Sequence, residues 1–424
     1  MGQSHPPQPK RRDREMRRGA ILILYDRGSS MKKLIALFVV LVLAFTLVAC
    51  AQTSEAPAIK VGFIFLHDEN STYDNNFMVA AKNACEAAGA EAILKTNIPE
   101  GQECYDAAAE LVDEGCSIVF ADSFGHEDYL MQAAKDFPEV EFCHATGTQA
   151  HTAGIENFHN AFASIYEGRY LAGIAAGMKL NEMIENGEIE PTEAKIGYIG
   201  AYTYAEVISG YTSFFLGARS VCPTATMDVT FTGSWYDMAL ETEGATKLIE
   251  GGCVLISQHA DSMGAPSTCE TAGVPNVSYN GSTLEAAPNT YIISSRINWE
   301  PYFAYIIDCV RNGEPIDTDW TGTIATGSVE LTALNENVAA PGTQEAINEA
   351  LAAIEAGELH VFSTDAFTVD GATLTEYMAD VDTDAGFTPD TNVIADGFFH
   401  ESEYRSAPYF DLQIDGITLL DTAF

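Results

Sequence analysis

The sequence predicts an α/β protein of two doubly wound, Rossmann-like lobes, each built on a parallel sheet and joined by a hinge. Three observations lead there. Short apolar runs bounded by glycine alternate with segments whose apolar residues recur at helical spacing, the pattern of βαβ units. The alternation starts twice, at Ile59–Leu66 (IKVGFIFL) and again at Lys195–Ala201 (KIGYIGA). The carboxyl ends of the predicted strands run into polar and aromatic loops, and in open parallel sheets a ligand sits beyond those ends.

The 424 residues, 47% of them apolar, can bury a sizeable core and suit two or three domains. Residues 1–49 hold nine of the 21 Lys and Arg and three of the 61 acids. From Cys50 onward there are 12 basic and 58 acidic side chains, a net charge of −46. Such a surface repels phosphate backbones, so nucleic acid is not an expected partner.

Met31-Lys32-Lys33 precedes Leu34–Ala49, which is apolar except for Thr46. That run is shorter than the ~20 residues a spanning helix needs. A charged start, a short apolar stretch and small residues read as a secretory signal over 31–49. Leu47-Val48-Ala49-Cys50 matches the bacterial lipobox, so Cys50 is the expected lipidation site and 50–58 a tether. Residues 1–30 read as an upstream extension, with Met31 the expected start. The expected location is the outer face of the cytoplasmic membrane.

Within the body, Ile59–Leu66, Ala90–Lys95, Ser117–Ala121 and Glu141–Ala145 read as strands, with Ala153–Phe158 strand-like. Phe77–Ala88, Cys104–Glu114 and Asp128–Asp136 read as the helices between them. Ile165–Met183 is a long helix with small residues on one side (Gly168, Ala172, Ala175, Ala176), suited to close helix packing. The second lobe repeats the unit: Lys195–Ala201, helix Val207–Arg219, strand Val229–Phe231, helix Met238–Ile249, strand Val254–Ile256, a helix to Gly273, strand Pro275–Ser278 and strand Tyr291–Arg296. Helix Phe303–Asn312 stops at Gly313. Beyond it, Trp320–Ala333 reads as antiparallel strands, Gly342–Gly357 as a helix, Val361–Val369 with Asp370-Gly371 as a hairpin tip and Tyr409–Leu420 as an edge strand. Lobe one is expected to comprise 59–163 with about 297–330, and lobe two 164–296 with about 331–424.

The strand ends supply the candidate site. Trp235 offers a flat apolar face for a heterocycle, or caps the core between loop and helix. Trp299 has the same two readings, and Pro301 beside it suggests a rigid hinge corner. Tyr73 and Phe124, at strand ends of the first lobe, can supply the opposite face of a ring sandwich; Phe124 can equally plug its loop. Asp261 can accept two donors from a base edge, or cap the helix that follows, a cap Ser262 can also make. Asn280 carries donor and acceptor, and Asn-Gly is also a turn signal. Glu206 is a ligand candidate or a favourable charge at a helix start.

Jointly and in order, IKVGFIF, YEGRYLAGIAAG (Tyr166–Gly177), AEVISGYTSFFLGARSV (Ala205–Val221), FTGSWYD (Phe231–Asp237), QHADS (Gln258–Ser262) and SYN…AAP…NWEPYF (Ser278–Phe303) resemble the basic membrane protein (BMP) family of substrate-binding lipoproteins. The resemblance spans about Ile59 to the end. It implies a type I periplasmic-binding-protein fold and a receptor that delivers a purine base or nucleoside to an ABC permease, without catalysis or a cofactor. The loop Asp68–Asn75 departs from the pattern of the nucleoside-binding branch, whereas the Gly-Ser-Trp and Asn-Trp motifs are those of the nucleobase branch. A sugar receptor of the same fold, a lipoprotein sensor and an exported nucleoside hydrolase are the alternatives; the sequence holds no acid–base constellation for the last. His259 beside Asp261 is a weak metal pattern, and no metal is expected. A monomer is expected. Besides Cys50 there are eight cysteines. Most fall in apolar helices or strands and are expected as free buried thiols, with Cys104–Cys116 and Cys253–Cys269 the pairings considered.

Overall fold

The structure is a computed structural model and describes residues 2, 59–381, 386 and 388–422. The signal segment, Cys50, the tether and the choice between Met1 and Met31 lie outside the described residues. Residues 59–424 form one compact unit.

Two sheets organise it. The first contains β1 (Lys60–Ile64), β2 (Glu91–Lys95), β3 (Ile118–Ala121), β4 (Glu141–Ala145) and β5 (Phe158–Ala163). Helices α1 (Thr72–Ala88), α2 (Gln102–Asp113), α3 (Glu127–Asp136) and the short α4 (Ala150–Ala153) connect them. The long α5 (Ile165–Glu185) leads to the second sheet: β6 (Lys195–Gly200), β7 (Thr226–Phe231), β8 (Leu255–His259), β9 (Asn276–Tyr279) and β10 (Tyr291–Ile297). Its helices are α6 (Ala205–Val221), α7 (Met238–Glu250) and α8 (Gly264–Ala272). Helix α9 (Glu300–Asn312) then returns to pack on α1. The sheet orders are β11-β5-β4-β3-β1-β2 and β12-β10-β9-β8-β6-β7-β17, where β11 is Asp319–Gly322, β12 Val329–Leu331 and β17 Ile417–Leu419. All pairings are parallel except β10 with β12. The α/β class and doubly wound parallel sheets are as the sequence predicts.

Several expected elements are corrected. β11 and β12 do not pair with each other: β11 joins β5 in the first sheet and β12 joins β10 in the second. The alternation of Trp320–Ala333 encodes extended chain, while the choice of partner lies in contacts remote in sequence. The strand expected at Ala153–Phe158 begins at Phe158, because Gly154 at φ +63° ends α4 first. Val361–Val369 forms no continuous strand, but the hairpin tip expected at Asp370-Gly371 is present: Val369 pairs antiparallel with Ala372 across these two residues, at φ +51° and +76°. Of Tyr409–Leu420 only Ile417–Leu419 is a strand, at the sheet edge beside β7. Pro301 opens α9, a position where its missing N–H costs nothing, so it marks a helix start rather than a hinge corner. Two small ribbons, β13 (Met378–Ala379) with β14 (Thr391–Asn392) and β15 (Ile394–Ala395) with β16 (Phe398–Phe399), decorate the carboxyl-terminal segment. Its Phe362, Phe367, Phe399 and Phe410 complete the core beneath α5 and α6.

Close helix packing on α5 comes from Gly173 and Gly177 rather than from the face expected for it; Gly168 of that face abuts Val329 and Ser295 instead. A Cβ on Gly173 would lie 2.0 Å from the Phe214 carbonyl oxygen of α6, and one on Gly217 would lie 2.0 Å from the Tyr170 carbonyl oxygen of α5. The two helices therefore touch backbone to backbone at their crossing. Gly217→Val is expected to destabilise the fold by about 1–3 kcal/mol or more, because both backbones must separate. Chemical denaturation would show this as a lower midpoint with little change in slope.

Among the described residues the eight cysteines are buried free thiols, and neither considered pairing forms. Burial pushes the Cys85 and Cys116 thiols up to about 11, so they remain protonated and pack as small apolar groups.

Candidate functional site

The carboxyl ends of both sheets face one another across a narrow cleft. Six of the seven residues expected to bind ligand line it: Tyr73, Phe124, Glu206, Trp235, Asp261 and Asn280. Trp299 does not. It is 1% exposed, stacks on Phe77 at 4.4 Å and belongs to the first lobe's core with Phe162 and Phe303. The residue fills the interior between α1 and α9, the second of its two readings.

The lobes touch around the cavity. The Thr72 amide and hydroxyl donate to the Asp261 carbonyl at 3.0 and 3.3 Å. The rings of Phe124 and Tyr204 lie 5.3 Å apart, and those of His67 and Tyr236 5.4 Å. The structure thus describes a closed cleft.

Each wall follows from local chemistry. Ser71 caps α1 and holds Tyr73 in its first turn. The Tyr73 hydroxyl donates to the Asp122 carbonyl at 2.8 Å, and its ring meets Phe77 edge-on. Asp74, 1% exposed, accepts from the His67 amide at 2.7 Å and from the Ser71 hydroxyl at 2.5 Å. Burial alone would raise its pKa; the His67 and Ser71 hydrogen bonds outweigh burial and hold it below the usual value. On the other side, Gly233 at φ +72° turns the chain after β7, and Trp235 sits edge-on to Tyr202 at 5.1 Å.

Asp261 is 4% exposed and accepts from the Asn280 amide at 3.2 Å. Met263 is the cap residue of the helix after it, and the Ser262 hydroxyl accepts from the Gly264 amide at its start at 3.1 Å. Asp261 is therefore released from the capping role. Burial, then the nearby Asp74 charge, pushes its pKa well above the ordinary value. Asn280 turns the chain at φ +63° and donates its side-chain amide to Asp261. Glu206, in the first turn of α6, lies 3.6 Å from His259 Nε2.

Sequence reasoning passed over Leu66, His67, Asp74, Ser123, Thr146, His259 and Tyr279 as ligand-facing residues, all of which line the cavity. Most follow the ends of β1, β3, β4, β8 and β9, so the strand-end rule applied to every strand would have found them. His259 and Tyr279, 2% and 1% exposed, bring their rings to 4.2 Å in a tilted arrangement. Both nitrogens of His259 and the Tyr279 hydroxyl are buried with no hydrogen-bond partner in the structure. Burial pushes the His259 pKa down, so its ring is neutral. Beneath them Arg169, fully buried, bonds to Ser278, Tyr198 and Ser257 and ties α5 to β6, β8 and β9. Among the described residues no group of three or more His, Cys, Asp or Glu is placed to hold a metal, and no helix is long and apolar enough to cross a membrane.

Two parallel sheets closing strand ends over a cavity of rings and acids define a solute receptor of the type I periplasmic-binding class. The chain belongs to the Bmp family: its model, described as ABC transporter substrate-binding protein PnrA-like, matches residues 66–360. It is a substrate-binding protein of an ABC transporter, and acts outside the cytoplasm. A purine-binding protein of Brucella abortus is 32% identical over 277 residues, 64% of this chain and 74% of the relative. A Haloferax volcanii protein, provisionally named an ABC transporter glucose-binding protein, is 34% identical over 206 residues, 48% of this chain and 49% of the relative. In fold, the chain is similar to a solved solute-binding protein of an ABC transporter from Conexibacter woesei. That match has a TM-score of 0.58 and 19% identity, and covers 72% of this chain and 98% of the other.

Proposed function

We propose that the protein binds a purine base in the closed cleft and delivers it to an ABC permease without altering it. The observation that carries this reading is the pairing of Asp261 with Asn280 beside Trp235. One buried polar edge reads hydrogen bonds while a flat ring covers a face. The purine-binding relative supports the same ligand class. Segments 59–163 with 297–330, and 164–296 with 331–424, would move as the two bodies that close, and ligand favours the closed state.

Titration calorimetry with adenine, guanine, hypoxanthine, their nucleosides and glucose tests the reading. Heat with bases and none with glucose is expected; binding of glucose alone would overturn it. Trp235→Ala should weaken base binding about 10- to 100-fold, the worth of one stacked face, and leave the melting temperature of the empty protein nearly unchanged.

We also propose that Cys50 carries a lipid that holds the receptor at the membrane. Cys50→Ala should move the protein from the membrane fraction to the soluble fraction of cells; unchanged membrane retention would refute the anchor.

A further inference from the structure

We infer that the cleft selects heterocycles bearing an exocyclic amino group, and that Glu206 is the residue that reads it. The inference rests on the base-binding reading above and narrows it.

Three carboxylates line the cavity, and its side-chain donors are hydroxyl, imidazole and amide groups. Its carboxylates are Asp74, Glu206 and Asp261, and no lysine or arginine is among the described residues lining it. Asp74 is already occupied by His67 and Ser71. One oxygen of Asp261 takes a single Asn280 hydrogen at 3.2 Å. Glu206 has His259 Nε2 at 3.6 Å, beyond hydrogen-bond distance.

Burial lowers the His259 pKa although Glu206 at 3.6 Å opposes the shift, so the ring answers Glu206 weakly as a cation. Its nitrogens and the Tyr279 hydroxyl lack partners although 2% and 1% exposed, so the site is unfinished at this end. A ligand N–H₂ group completes it: one hydrogen goes to Glu206, and an adjacent ring nitrogen accepts from His259 or Tyr279. A carbonyl placed against Glu206 would instead set two acceptors together and leave the carboxylate unpaired in a closed cavity, the costly arrangement.

Matched pairs that differ only in the amino group provide the test. Guanine and hypoxanthine differ at C2, adenine and unsubstituted purine at C6. The purified protein is expected to bind the amino member of at least one pair at least about tenfold more tightly by calorimetry. In Glu206→Gln that ratio should fall to within about threefold, because the side-chain amide supplies a donor where the carboxylate had none. The unliganded variant should keep its melting temperature. Bases that bind with neither pair separated by threefold would overturn the inference and leave the base reading standing. A ratio unchanged in Glu206→Gln would overturn the assignment to this residue. No binding of any base would overturn both readings.

Discussion

Asp261→Ala is expected to weaken purine binding by roughly 100-fold or more, the largest effect of any single side chain in the cleft. The carboxyl group is 4% exposed and its pKa is pushed well above the ordinary carboxylate value, first by burial and then by the Asp74 charge. In the empty closed cleft its charged form is poorly solvated. Ligand N–H groups would supply the missing solvation, so truncation removes their partners and strands them in a dry cavity. The fold should survive. Asp261 meets Thr72 and Trp235 through its backbone carbonyl and amide, which alanine retains. Asp261→Asn, which keeps shape and one acceptor, should lose less. Calorimetry on the three proteins orders them; equal affinities would remove Asp261 from the site.

The second large effect concerns stability against pH. Burial raises the carboxyl groups of Glu167 and Glu241 to about 7 and of Glu401 to about 8. The native state therefore holds protons on these groups that the unfolded chain has already lost, and stability falls as pH rises through that interval. His126, His144 and His259, whose pKa values burial lowers, act in the opposite sense. Their contribution is complete once the unfolded histidines are neutral, above about pH 7. Between pH 7 and 9 only the raised acids, joined late by buried thiols and phenols, remain, and all have the same sign. A loss of about 2–4 kcal/mol over that window is expected. Glu401, 5% exposed, accepts from the Tyr409 amide at 3.2 Å and contributes most of these three glutamates. Glu401→Gln should melt higher than the parent at pH 9 and at nearly the same temperature at pH 6. A parent melting temperature that rises from pH 7 to 9 would contradict the assignment.

Recognition and stability draw on the same physics. Asp261, Glu241 and Glu401 are acids that the fold holds away from water. Glu241 is satisfied by the Ser262 amide at 3.1 Å, and Glu401 by Tyr409. Asp261 retains capacity at a cavity wall.

By itself the sequence determined the class of fold, the two starts of the alternation and the loops that carry the site. Those features are local: a strand in a parallel sheet is a short apolar run, glycine stops a helix, and strand ends in such sheets face the ligand. Trp235, Asp261 and Asn280 were legible for that reason. Only the tertiary structure decided between the two readings of Trp299, because its partners Phe77 and Phe162 are more than a hundred residues away in the chain. It alone separated β11 from β12, since extended conformation is written locally but a strand's partner is not. It alone brought Glu206 beside His259 and left the Tyr279 hydroxyl unanswered, because burial and the absence of a partner are properties of the packed chain.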